Sequence, residues 1–130
     1  MALCLALFAE ALKGRRQAPE RIRSLDELLA VMGLPKEEKA GLNWAVQALL
    51  YRVELLFFRV AEEGFALEHY LEGLSYLEKM GGEPFQVLAL PGVGSWEIIE
   101  KARTVCKKKK SFLIMNEQDL YDCLTVKKVF

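Results

Sequence analysis

The sequence's one histidine, His69, stands between Glu68 and Glu72 on a segment with helical periodicity. A histidine beside carboxylates can move protons, but no serine or cysteine is tied to it by a recognisable nucleophile motif. It therefore reads as an ordinary surface histidine. The three cysteines, Cys4, Cys106 and Cys123, have no C-x-x-C spacing and give neither a disulfide framework nor a zinc site. Cys106 precedes four lysines, which would lower its thiol pKa if it were exposed. Glu37-x-Lys39 has the E-x-K form of some nucleases but opens a helix instead of lying on a strand. No catalytic residue, metal site or cofactor is assigned from these patterns.

The residues suited to anions are more numerous. Arg15, Arg16, Arg21 and Arg23 fall in one connector, and Lys107, Lys108, Lys109 and Lys110 end a helical segment. Lysines there suit the negative end of a helix dipole, and the two tracts together would make a phosphate-binding patch if they met. No aromatic residue interleaves with the lysines, so a stacking surface for single strands is not indicated. Between Leu88 and Ile99 the chain reads "LALPGVGSWEII". Gly92, Gly94 and Ser95 could present free amides to a phosphate at a helix start, or could make a turn in which Ser95 caps the helix. Neither G-x-x-x-x-G-K-[ST] nor G-x-G-x-x-G is present. On the turn reading, Gly94 is the more demanding glycine.

The L-P-G-V-G core also resembles the hairpin of helix-hairpin-helix proteins, which implies backbone amides contacting DNA phosphates without reading sequence. The resemblance is confined to this stretch, and it departs from the family's pattern where Ile98 and Lys101 replace a small and an aliphatic residue. The closing "SFLIMNEQDLYDCL" is similar to the last strand and helix of restriction-endonuclease-like domains. The acidic core of that family is missing upstream, so the similarity implies no activity.

The elements holding these residues follow from periodicity and punctuation. A first helix is expected over 2–13, closed by Gly14, and a second over "SLDELLAVMGLP", with Ser24 and Glu27 as a capping box, Gly33 at its end and Pro35 opening the next. One long helix is expected over 35–63, placing Asn43, Gln47 and Glu54 in a narrow polar stripe with apolar faces on both sides. Such a helix is central to the core or shared between subunits. "ALEHYLEGLSYLEKM" reads as a one-sided helix ended by Gly81-Gly82. Beyond that pair, "PFQVLAL", "SFLIM" and "TVKKVF" read as strands separated by helices over 95–108 and 117–124, the latter capped by Asn116.

The expected architecture is a mainly helical α/β protein: a four-helix N-terminal part (1–81) packed on a small C-terminal β-α-β-α-β sheet (82–130), in a single domain spanning 1–130. With 130 residues and 52% hydrophobic content, the chain can bury one core. Eighteen basic and eighteen acidic residues cancel, which excludes a global charge drawing it to nucleic acid or anionic membranes. The opening run has no basic residue before it and contains Glu10, so it is not read as a signal peptide. Arg52, Glu54 and Arg59 argue against a lipid-facing span in the long helix. A cytoplasmic location and no membrane partner are expected. The expected role is a non-catalytic small subunit or adaptor acting through protein association, as a homo- or hetero-oligomer. The alternative is a nucleic-acid-associated protein using the basic tracts, and the third is phosphate-ligand binding at "PGVGS".

Overall fold

The apolar opening run is the central strand of a sheet, not a helix. In the computed structural model, which describes residues 3–16, 18–33 and 39–125, β1 (Cys4–Ala9) pairs in parallel with β3 (Glu54–Arg59) on one side and β4 (Val87–Ala89) on the other. All six β1 residues are buried. A strand covered on both faces is apolar throughout, so its sequence lacks the alternation that distinguishes strand from helix. Helix propensities differ by only about 0.7 kcal/mol per residue among ordinary residues. Burying a large apolar side chain contributes about 1.5–3 kcal/mol, so tertiary packing decides the state of "CLALFA".

The same error recurs in the long helix expected over 35–63. Its described part is α2 (Gly41–Leu50) followed by β3, and the break falls at Arg52, a non-glycine residue with φ 63°. Nothing in the sequence flags it. The two apolar faces are therefore not faces of one helix, and the argument they gave for self-association no longer holds. Pro35 and residues 126–130, the proposed helix opener and most of the proposed last strand, lie outside the described residues, and Thr125 closes α5 (Glu117–Thr125).

Other elements match their punctuation. Ser24 Oγ accepts from the Glu27 N–H at 3.1 Å to cap α1 (Leu25–Met32), while Glu27 accepts from the amide of Arg23 at 2.9 Å, one residue earlier than a strict capping box. Gly33 ends α1 at φ 91°. The segments expected as one-sided and C-terminal helices are α3 (Leu67–Lys79), α4 (Trp96–Lys109) and α5, with β4 and β5 (Phe112–Ile114) between them. Asn116 Oδ1 accepts from the Asp119 N–H at 2.8 Å, as an N-cap should.

The mixed sheet has the order β2-β3-β1-β4-β5, with only β2 (Glu20–Ile22) antiparallel. Strands from both sides of Gly81-Gly82 share it, so the α/β class holds while the expected four-helix part is replaced by strands and helices in alternation. Leu5, Leu7 and Ala9 face a core completed by α1, α2 and α5. Cys4, Ala6 and Phe8 face one completed by α3 and α4. On that second face Phe8 stacks on Phe58 with centroids 4.4 Å apart, and Gly73 leaves the room that the Phe8 ring occupies. The chain leaves β1 toward β3 and later returns to β4 on the other side. This reversal between β1 and β4 is where doubly wound sheets open a crevice at their carboxyl ends. No helix among the described residues is long and apolar enough to cross a membrane.

Candidate functional site

At the carboxyl edge of the sheet, Glu10 follows β1 and Glu63 follows β3, and each binds the other's backbone. Glu63 Oε1 accepts from the Glu10 amide at 3.1 Å, and Glu10 Oε2 accepts from the Glu63 amide at 2.9 Å. Glu63 Oε2 also accepts from the Gly41 amide at 3.1 Å. The preceding residue, Ala40, has no side chain able to cap α2, so a carboxylate from 22 residues away takes that place. Gly41 is required, because a Cβ there would collide with Ala9 Cβ and Glu63 Oε1. Glu63 is only 6% exposed. Burial raises its carboxyl pKa, the amides of Glu10 and Gly41 pull it back, the Glu10 charge raises it and Lys39 lowers it. Lys39 Nζ lies 3.4 Å from Glu10 Oε2. In many doubly wound sheets a helix N-terminus at this edge receives a ligand's phosphate. Here the protein's own carboxylate occupies the α2 amide.

Neighbouring groups with chemical potential are likewise engaged. His69 Nδ1 accepts from the Ala61 amide at 3.0 Å, and the cavity beside it, lined by Arg16, Arg59, Glu72 and Tyr76 among others, measures about 20 Å³, room for a water at most. Tyr70 OH accepts from the Gly64 amide at 2.8 Å, and burial raises its pKa. Cys4, Cys106 and Cys123 are buried, and burial pushes each thiol up to about 11. Exposure, the condition on which neighbouring lysines would lower the Cys106 thiol, is not met: the residue packs in the core. Among the described residues, no three His, Cys, Asp or Glu side chains gather as a metal site.

The "PGVGS" stretch is a strand-turn-helix, with β4 before it and α4 after it, so the helix expected before a helix-hairpin-helix hairpin is a strand. Gly92, not Gly94, takes the left-handed conformation, at φ 77°, and a Cβ on Gly94 would meet nothing within 4 Å. Ser95 occupies the N-cap position, but its side chain makes no capping bond; its carbonyl accepts from the Ile99 amide at 3.1 Å. The demanding glycine is Gly64, at φ 89°, whose Cβ would strike the Gly92 carbonyl. It is a close approach between two loops, which no local pattern announces.

The basic tracts occupy opposite sides of the sheet. Arg21 lies on β2 and Arg23 just after it, and they pair with Glu54 at 2.6 and 3.4 Å. Arg15 pairs with Glu20 at 2.6 Å, and Arg16 lines the small cavity beside His69. Lys107, Lys108, Lys109 and Lys110 lie where α4 leads into β5, the other edge strand, and four strand spacings, about 19 Å, separate β2 from β5. Lys108 and Lys101 both bind Glu78, at 2.7 and 2.9 Å, and Lys109 bonds the Met80 carbonyl. Lys110, at φ 55°, ends α4.

Two features escaped sequence reasoning. Phe65, in the loop after β3, and Trp96, the first residue of α4, are 69% and 66% exposed on the two segments brought together by the Gly64–Gly92 contact. A cleft of about 520 Å³ is lined by Lys39, Asn43, Trp44, Val46 and Gln47 around α2, with Glu117 of α5. Asn43 and Gln47 share one polar stripe in the sequence, which is the available signal; their pairing with α5 is not legible there. Compared with protein-family models, with curated proteins and with solved structures, the chain matches none, so its site is read from its own geometry.

Proposed function

We propose that this chain is a non-catalytic binding subunit that associates with another protein through the loops at the carboxyl edge of its sheet. The observation that carries the reading is the pair Phe65 and Trp96, two large aromatic side chains exposed at this edge, one in the loop after β3 and the other at the start of α4. Aromatic side chains of this kind dominate binding energy when a partner covers them. The Arg103 guanidinium lies 5.6 Å from the centre of the Trp96 ring and helps hold the ring in one orientation. Beneath the loops, Glu10 and Glu63 fasten the ends of β1 and β3 to α2, which gives a surface already ordered before binding.

The test compares the natural chain with the Phe65→Ser/Trp96→Ser variant at micromolar concentration. Both are used to isolate bound proteins by cross-linking, and each captured protein, a second copy included, is purified and titrated. Both substituted side chains are exposed, so the variant should keep its fold, as circular dichroism would verify. A partner that binds the natural chain and loses about tenfold or more in affinity for the variant supports the reading. Equal binding by both chains overturns it.

A further inference from the structure

The cleft between α2 and α5 holds polar side chains that the fold itself does not use. Asn43 and Gln47 sit one turn apart on α2 and line it, and among the described residues neither carboxamide bonds another side chain or backbone group. Lys39 stands outside α2, just before its N-cap Ala40, and Glu117, the first residue of α5, completes the lining. The volume, about 520 Å³, falls within the roughly 300–1,000 Å³ of ligand sites.

We infer that this cleft binds an extended peptide segment carrying an acidic residue at the Lys39 end. The spacing supplies the argument. Residues four apart on a helix advance about 6 Å along its axis. Two residues of an extended chain advance about 6.6 Å, so successive backbone groups on one side of such a peptide keep step with Asn43 and Gln47, and the chain runs on toward Lys39 beyond the α2 N-cap. Each carboxamide offers one acceptor and two donors, the complement of a peptide's own N–H and C=O. Two carboxamides one turn apart, with an ammonium lining the same cleft before the helix start, match a linear chain better than a small molecule, whose recognition needs groups that converge. Lys39, already beside Glu10, retains donors for a second carboxylate. Glu117 opposes a negative charge on its side, which gives the peptide a direction. The side chains of Trp44 and Val46 supply an apolar floor.

This inference rests on the association reading and adds a second contact to it, so the experiment separates the two. A displayed library of random octapeptides is selected on the natural chain, and one enriched peptide is titrated against three variants. The expected peptides carry Asp or Glu at a fixed position and lose about tenfold or more in affinity for Asn43→Ala/Gln47→Ala. Lys39→Glu should reverse the charge preference at that position. Phe65→Ser/Trp96→Ser should bind the peptide as the natural chain does. Enriched peptides that bind the double alanine variant unchanged overturn the cleft, as does a library that yields none. If those same peptides are lost with Phe65→Ser/Trp96→Ser, the cleft falls and association through the loops stands. If neither double variant matters to the peptide or to the captured partners, both readings fall.

Discussion

The two ends of the sheet use charge in different ways. At the carboxyl edge the carboxylates of Glu10 and Glu63 are turned inward onto backbone amides, and they join two strand ends to the start of a helix. At the opposite edge, Glu54 and Glu78 each serve two basic side chains at the surface, Arg21 with Arg23 and the half-buried Lys101 with the exposed Lys108. A buried amide that loses its acceptor cannot turn to water, whereas an exposed ammonium that loses its carboxylate can. One edge is therefore part of the framework and the other is adjustable surface. The difference also sets where a binding partner finds a rigid platform.

The largest expected effect comes from removing the inward carboxylate. Glu63→Ala deprives two amides of their acceptor and should cost about 3 kcal/mol in urea unfolding, with most of the loss retained at high salt. A loss below about 1 kcal/mol would mean that the carboxyl edge is as adjustable as the other. The turn between β4 and α4 gives a smaller, sharper contrast. Gly92→Ala should cost about 1 kcal/mol or more because φ is 77°, while Gly94→Ala should stay within about 0.5 kcal/mol. Equal costs would mean that the left-handed residue is misassigned.

The smallest effect belongs to the exposed edge and is seen through pH. The hydrogen bonds from Lys108 and then Lys101 hold the Glu78 carboxyl down to about 2, against an ordinary 4.5. A carboxyl whose pKa falls on folding contributes stability that is present above its ordinary value and lost as pH drops toward the folded one. Thermal melts should therefore show part of the natural protein's loss between about 4.5 and about 2 missing from Glu78→Gln. The difference should shrink in high salt, because these charges are exposed. An identical acid profile in the two chains would show that the Glu78 pairs do not persist in solution.

Features closed within a few residues were legible in the sequence. Ser24 with Glu27, Gly33, Asn116, the one-sided α3 and the alternation after Gly82 were each readable, because a cap or an amphipathic stripe is satisfied by its immediate neighbours. Asn43 and Gln47 were visible as a polar stripe, though not as one wall of a cleft. Ser95 shows the limit of local reasoning: the right residue stands at the cap position, yet its side chain makes no capping bond.

The rest was decided by contacts between distant parts of the chain. "CLALFA" and "ELLFFR" are apolar in either state, and they become strands because β1 and β3 pair along six residues while helices cover both faces. Glu63 caps a helix that begins 22 residues before it, and Gly64 is needed only because the Gly92 carbonyl lies against it. The sequence by itself determined the local caps of α1 and α5, the charge balance and the polar face of α2. The tertiary structure alone decided which apolar runs became strands, which carboxylates turned inward and which aromatic residues stayed in solvent. The physical reason is that a local cap such as Ser24 or Asn116 is a bond within one turn, whereas pairing, burial and the capping of α2 by Glu63 are settled between segments whose separation in the chain carries no local signal.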